Sequence, residues 1–549
     1  MRARLHHKLK PNNYTESCMI NEADGWRGRN VWYLGRSVRY ALKEVTTAES
    51  SAERTEVSRG HSSREVKDRI SRSLEYDRER RNDQSMAENI ESNGCSQRDN
   101  AEHEGYVKAS RSFNRIWKER DSAQPKLLEA ILYKDNFNRA YKRVKANKGA
   151  PGNDGMTIEE ALPYLKEHQQ EITDRIYRGK YTPSPVRRVE IPKPDGGVRK
   201  LGIPTVVDRT LQQAITQQLV PIYEPLFTEG SYGYRPNRSA KDAILKVKEY
   251  AEQGYTFAVV LDLSKYFDTL NHEILINLLR KNVKDERVVQ LIKRYLKSGV
   301  MENGVVIDTE EGSPQGGNLS PLLANIYLNE FDQEFLKRGV PCIRYADDIV
   351  LLAKSKRASE RLLENSTKYL EERLKLTVNR KKSRTVSVFA IRNFKFLGFA
   401  LGRNGRGIYV RVHPKSWKKF KSRLKELSSR KRCQSIKPSL EKIKVYARGW
   451  LNYYGIASMK NNIDDINGWL YHRIRMCIWK QWKKPRTKYR NLVKLGIPEH
   501  YAATIANSRR KYWYISNNKA VVWALNKERL INSGFYDLAT AYQSVYVNY

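Results

Sequence analysis

The chain is short of almost everything that would staple or anchor it. Its 549 residues hold five cysteines, Cys18, Cys95, Cys342, Cys433 and Cys477, which lie far apart and form no CxxC pair. Neither a disulfide framework nor a cysteine zinc site is supported. The nine histidines include no HExxH, which argues against a histidine-based metal site. No apolar run approaches the roughly 18 residues of a membrane-spanning helix, and the opening MRARLHHKLKPNN has no apolar segment of the signal-peptide kind. A cytoplasmic protein without a membrane partner is the expectation. Negative charge is also scarce: 61 Asp and Glu face 102 Lys and Arg, a formal charge of +41. So large an excess repels itself unless counter-charge arrives. The default partner is therefore a polyanion, nucleic acid first and an anionic membrane surface second.

What is present is length enough for two to four domains. Residues 1–105 are rich in Ser, Arg, Glu and Asn with few periodic apolar positions, and read as a variable, mostly disordered or weakly helical extension. From Gln124, PKLLEAILYKDNFNRAYKRVKANKG repeats Leu, Ile, Phe, Tyr and Val at helical spacing and stops at Gly149 and Pro151. IEEALPYLKEHQQEITDRIYRG is a second helical stretch. In PVRRVEIPKPDGGVRKLGIPTVVDR, strand-like Val and Ile flank a Pro-Asp-Gly-Gly turn, a hairpin whose arms and tip carry Arg187, Arg188, Lys193, Arg199 and Lys200. Helices then alternate with a few strands. Between Arg411 and His500, 24 Lys or Arg outnumber 5 Asp or Glu, with Trp450, Tyr453, Tyr454, Trp469, Trp479 and Trp482 among them. Such aromatics either stack on bases or pack a helical core, and both readings stand at this point.

The sharpest feature is RYADDIV, Arg344 to Val350, which sets two carboxylates side by side in an apolar run. Burying them unpaired costs several kcal/mol, so a basic side chain or a metal ion must offset them. Upstream, the apolar strand Phe257 to Leu261 ends in Asp262. CIRYADDIVLLA reads as strand, tight turn, strand, with Ala346, Asp347 and Asp348 at the bend. A hairpin bend beside the end of a central strand can gather Asp262, Asp347 and Asp348 around divalent ions. Mg²⁺ prefers oxygen ligands, and two ions about 3.5 to 4 Å apart can activate an attacking hydroxyl and stabilise a leaving pyrophosphate. Paired surface aspartates in a turn would explain the Asp-Asp pair, but neither its apolar flanks nor Asp262.

On these residues the sequence resembles the reverse transcriptase/maturases encoded by bacterial group II introns. Eight blocks follow the family's order: NKGAPGNDGM from Asn147, RRVEIPKPDGGVRKLGIPTVVDR from Arg187, SYGYRPNRSA from Ser231, VVLDLSKYFD from Val259, GSPQGGNLSPLLANIYL from Gly312, RYADD from Arg344, LTVNRKKS from Leu376 and FKFLGF from Phe394. ARGWLNYY from Ala447 and MCIWKQWKKP from Met476 resemble the thumb or maturase domain. The resemblance implies an α+β right-hand polymerase: an N-terminal fingers extension over 106–182, fingers and palm over 183–405, a predominantly helical thumb over 406–485, and a small basic, DNA-binding C-terminal region over 486–549. No CxxC pair or HNH-like histidine pattern follows the thumb, so the form without an HNH endonuclease is the expectation, its primer made elsewhere, such as a nascent strand at a replication fork.

The resemblance also assigns roles. Asp262, Asp347 and Asp348 are the catalytic carboxylates, holding two Mg²⁺ (Mn²⁺ can substitute) together with the Leu263 backbone carbonyl. Phe267 is the aromatic gate under the sugar that excludes a 2′-hydroxyl; ordinary packing at a strand-to-helix junction is its plainer role. Lys193 and Arg199 approach the triphosphate. Gln315, in SPQGGNLSP, faces the nucleotide, with Gly316 and Gly317 allowing backbone to approach nucleotide or template; the run lacks the GK[ST] of a P-loop. Lys382 assists the leaving pyrophosphate. Lys142, Arg143, Lys145 and Lys148, with Arg448, Trp450, Lys480, Lys483 and Lys484, are candidates for gripping nucleic acid by phosphate and shape. The implied partners are group II intron RNA, a DNA target and primer, and deoxynucleoside triphosphates; a dimer through the fingers extension is conceivable. The implied location is the cytoplasm, with nucleoid association during mobility. Two other readings stay open: a splicing factor that no longer polymerises, and a domesticated reverse transcriptase in DNA repair or antiphage defence.

Overall fold

A computed structural model describes residues 126–192, 197–302, 304–431 and 435–546. The expectation for residues 1–105, and the place of Lys193, lie outside these. The chain divides into two units, one ending at Ala150 and one beginning at Pro151. In the first, helices α1 (Leu127–Leu132) and α2 (Lys134–Ala146) are joined by a hydrogen bond of 2.8 Å from Asn136 Nδ2 to Ile131 O. Ala140, Tyr141 and Val144 form the buried face of α2, leaving Lys142, Arg143 and Lys145 exposed.

The second unit opens with α3 (Ile158–Tyr177), started by a reciprocal cap between Thr157 and Glu160. Strands β1 (Val186–Pro192) and β2 (Val198–Ile203) form the expected hairpin, Arg187 opposite Ile203 and Ile191 opposite Arg199. Helices α4 (Val206–Tyr223) and α5 (Ala240–Glu252), strand β3 (Phe257–Leu261), helices α6 (His272–Asn282) and α7 (Glu286–Leu296), and strands β4 (Val300–Glu302) and β5 (Val305–Ile307) follow. They complete a fingers sheet in the order β2-β1-β4-β5.

Helix α8 (Ser320–Lys337) is enclosed along its first half and more open toward its end, where Asn329, Glu330, Gln333 and Glu334 are only half-buried; it buries Leu322, Leu323, Ile326, Tyr327, Phe331 and Phe335. Strands β6 (Cys342–Tyr345) and β7 (Asp348–Ala353), helix α9 (Lys356–Lys368) and strand β8 (Arg384–Ser387) complete the palm, an antiparallel sheet in the order β6-β7-β3-β8. Its central strands FAVVL and DIVLLA are near-continuous apolar runs because helices pack on them: α9 on β3 and β7, α5 and α8 on β6. A hairpin of β9 (Phe399–Asn404) and β10 (Gly407–Val412) leads into the thumb helices α10 (Pro414–Leu427), α11 (Ile436–Tyr454) and α12 (Lys460–Gln481). Six shorter helices end the described chain: α13 (Pro485–Lys494), α14 (Glu499–Ala506), α15 (Tyr512–Ile515), α16 (Lys519–Ala524), α17 (Lys527–Asn532) and α18 (Leu538–Tyr546). The α+β fold class is as the sequence implied, and no described helix is long and apolar enough to cross a membrane.

Candidate active site

Strand register brings the carboxylates to one edge of the palm. Strand β3 pairs with β7 so that Leu261 faces Ile349, and the next step along each strand places Asp262 across from Asp348. Tyr345 pairs with Asp348 across β6 and β7, leaving Ala346 and Asp347 as the two-residue turn between them. Ala346 takes a left-handed φ of 59°, a strained choice for alanine that the surroundings must hold. They do so through Gly233, on which a Cβ would collide with the Ala346 amide nitrogen.

The basic side chain nearest the carboxylates in sequence does not neutralise them. Arg344, 1 % exposed, is gripped by Asp332 of α8, equally buried, through Nε at 2.9 Å and Nη2 at 2.6 Å. Its Nη1 donates to Asn325 Oδ1 at 2.8 Å and to Ala346 O at 3.1 Å, and Nη2 donates to Ser231 Oγ at 2.8 Å. Asn325 Nδ2 in turn donates to Gly233 O at 2.7 Å. Burial opposes the Arg344 charge, and Asp332 outweighs it. The sequence reading missed this network. Its signal was there: Asn325 and Asp332 are two helical turns apart, on the stripe of α8 that also carries Leu328 and Phe335.

Asp347 and Asp348 reach solvent, yet protein atoms surround much of each. Burial pushes Asp348 up to about 6, helped by Asp347 and Asp262 and opposed by Lys395. Asp347 is raised by burial and by Asp262, against the pull of Arg199 and Arg344. Asp262 is held from behind by the LTVNRKKS segment: its N–H donates to Ser383 Oγ at 3.0 Å, and its carbonyl accepts from Asn379 N–H at 2.8 Å. Leu263 bridges Val378 through these neighbours, with Ser264 N–H on Thr377 O, and neither bond uses the Leu263 carbonyl. Among the described residues no three His, Cys, Asp or Glu side chains are drawn together tightly enough to hold a metal by themselves. The donors nevertheless suit magnesium in kind, since it binds through one or two carboxylates and completes its shell with water and substrate phosphate.

Residues 191–401 match the family model of reverse transcriptase (RNA-dependent DNA polymerase), and residues 417–496 match that of the group II intron maturase-specific domain. Protein YkfC of Escherichia coli K12 is 36% identical over 318 residues, which cover 51% of this chain and 83% of that protein. Group II intron-encoded protein LtrA of Lactococcus lactis subsp. cremoris is 35% identical over 268 residues, 48% of this chain and 43% of LtrA. The chain belongs to the group II intron reverse transcriptase/maturases. It spans most of one of these two relatives and less than half of the other.

Lys382 Nζ lies 3.6 Å from Asp262 Oδ2. Arg199, exposed on β2, is close enough to act electrostatically on Asp347. Phe267 sits half-buried in a short 3₁₀ turn, Tyr266–Asp268, entered through Lys265 at φ 49° and anchored by Tyr266, whose hydroxyl donates to Ala324 O at 2.6 Å. Gln315 is half-buried, and its carbonyl accepts from Gly202 N–H at 2.8 Å. The glycines beside it lie close to this chain's own atoms: a Cβ on Gly316, at φ 130°, would lie 2.6 Å from Gly202 O, and one on Gly317 2.8 Å from Gln212 Oε1.

The nucleic-acid candidates separate. Lys142, Arg143, Lys145, Lys148, Arg448, Lys483 and Lys484 are exposed. Lys480 is half-buried and donates to Arg430 O at 2.9 Å. Trp450 stacks on Phe420, with ring centres 4.0 Å apart and planes at 15°, and also touches Trp417 and Tyr454. Its role in this structure is packing between α10 and α11.

Proposed function

We propose that this reverse transcriptase copies its group II intron RNA into DNA at the Asp262, Asp347 and Asp348 edge of the palm, and that its basic surfaces bind the intron RNA to assist splicing. One observation carries the first part: the β3–β7 register sets Asp262 across from the Asp347–Asp348 turn, with Lys382 and Arg199 as the neighbouring cations. These carboxylates, with the Leu263 carbonyl, would hold two magnesium ions, which supply charge stabilisation for the attacking hydroxyl and the leaving pyrophosphate. The chain's own share is positional. The Arg344 network fixes the turn, Arg199 faces the triphosphate, Lys382 meets the pyrophosphate, Gln315 lines the nucleotide site and Phe267 floors the sugar.

Residues 417–496 supply the maturase-specific surface, with Arg448, Lys483 and Lys484 as phosphate contacts, and Lys142, Arg143, Lys145 and Lys148 add a second grip. In the C-terminal region, exposed aromatics beside cations, such as Tyr514 under Arg510 and Trp523 under Arg529, favour target DNA as its ligand. Work on DNA would place the protein at the nucleoid during mobility.

Primer extension on an RNA template with deoxynucleotides and Mg²⁺ tests the reading. Asp347→Ala is expected to lower extension by at least about 10³-fold, because it removes a ligand as well as a charge. Unchanged extension would remove the mechanism. For the RNA surface, the logarithm of intron affinity should fall steeply and linearly with the logarithm of salt concentration, and a flat response would defeat the phosphate account.

A further inference from the structure

The sequence singled out Phe267 as a gate and Gly316 and Gly317 as a close approach of backbone, and the structure ties the gate to the 312–317 loop that carries them through His272. His272, the first residue of α6 and 6% exposed, donates from Nε2 to Gly312 O at 2.6 Å. Gly312 N–H donates to Leu270 O at 2.8 Å, and Ser313 N–H donates to Phe267 O at 2.6 Å. The loop therefore lies flat against the gate turn. It does so only because residue 312 is glycine: φ is 90°, and a Cβ there would sit 2.8 Å from Asp268 O and 2.9 Å from Phe267 O.

On its other side the same loop holds the fingers. Gln315 O accepts from Gly202 N–H, and Gly202 lies on β2, the strand that carries Arg199. Ser313 Oγ and Ser320 Oγ join at 2.7 Å and Ser320 Oγ donates to Pro314 O at 2.8 Å, so the loop is also pinned to the start of α8. Residues 312–317 thus set the gap between the turn under the sugar and the strand beside the triphosphate. His272 is the side chain that clamps the gate end of that spacer. Burial holds its imidazole below the usual range and so neutral, which puts its one N–H on Nε2, the nitrogen that bonds Gly312 O.

We infer that His272 is a positioning residue for sugar selection: by clamping Gly312 it fixes the height of Phe267, and with it the room left for a 2′-hydroxyl. The inference rests on the reading of Phe267 as the gate. A loosened clamp lets the ring drop and admits ribonucleotides, while the carboxylates on the palm strands are untouched.

The test is the ratio of kcat/KM for dGTP over GTP opposite template cytosine, in which the concentration of active enzyme cancels, so partial misfolding of a variant does not obscure it. His272→Phe keeps an aromatic ring, a somewhat larger one, and loses the donor; it is expected to lower the ratio about tenfold, the scale of one misplaced buried contact. His272→Gln, which can still donate, should stay within about twofold of the parent, and His272→Phe should change the ratio by less than about twofold when Phe267 is already alanine. If Phe267→Ala alone leaves the ratio unchanged, the gate reading fails and the clamp fails with it. If Phe267→Ala lowers the ratio but His272→Phe does not, or lowers it equally in the alanine background, the gate stands and the clamp is overturned.

Discussion

The palm turn and the thumb helices bury similar bulk by opposite means. Around RYADD a fully buried guanidinium, with a carboxylate, an amide and a hydroxyl around it, holds the Ala346 carbonyl at the turn. In the thumb, Phe420 stacks on Tyr446 and on Trp450, and Trp417 packs against both Phe420 and Trp450 at steeper angles, with no buried charge among the four. A desolvated ion pair is a poor source of stability, whereas stacked aromatics are a good one. The difference suggests that the palm network is kept for position and the thumb cluster for cohesion.

The strongest way to break that contrast is Arg344→Met. Removing one partner strands Asp332 in the core, at an expected loss of about 4 to 5 kcal/mol in the unfolding free energy from denaturant titration, near the top of the range for a broken buried pair. Adding Asp332→Leu should recover much of that stability, because no charge is then left unpaired. Primer extension should stay low in the double variant, since Ala346, Asn325 and Ser231 still lack their donor. Recovery of both together would show that the network serves stability alone.

Phe420→Ala probes the other side. It should cost about 3 kcal/mol through the cavity it opens, while the ratio used above to read sugar selection stays at the parent value. Here stability falls and chemistry at the palm persists, the reverse of the Arg344 and Asp332 pair.

How far the sequence could see follows the same division. Asp262 and the Asp347–Asp348 pair were legible because each ends or begins a short apolar run with strand composition, and the tight bend between CIRY and DIVLLA puts the pair at a strand end. The PDGG hairpin was legible from its turn chemistry. Asp332 was not, because it is one of three carboxylates in its helix, with Glu330 and Glu334, and nothing singles it out until the tertiary contact with Arg344 is made. Trp450 was ambiguous for another reason: interleaved aromatic and basic residues at helical spacing fit a nucleic-acid surface and a core equally well, and only its stack on Phe420 decides. Gly316 and Gly317 announced close approach, and the structure shows each of them against this chain's own atoms.

The smallest effect tests whether a buried charge can serve cohesion after all. Asp537 accepts from Asn467 Nδ2 and Tyr471 on α12 and from Thr540 on α18, and Lys527 of α17 lies 3.0 Å away. Although burial works against the charge, these hydrogen bonds and Lys527 bring the carboxyl down to about 2, from an ordinary 3.8. A carboxylate depressed in the folded state stabilises it above the ordinary value, and the contribution is lost as pH falls from near 4 toward 2. Asp537→Asn should therefore lower stability at pH 7 by about 2 kcal/mol and flatten the acid limb of the unfolding curve. An unchanged acid limb would mean that the α12–α18 junction is held by packing, as the Phe420 cluster is, and the contrast between palm and thumb would then extend to the end of the described chain.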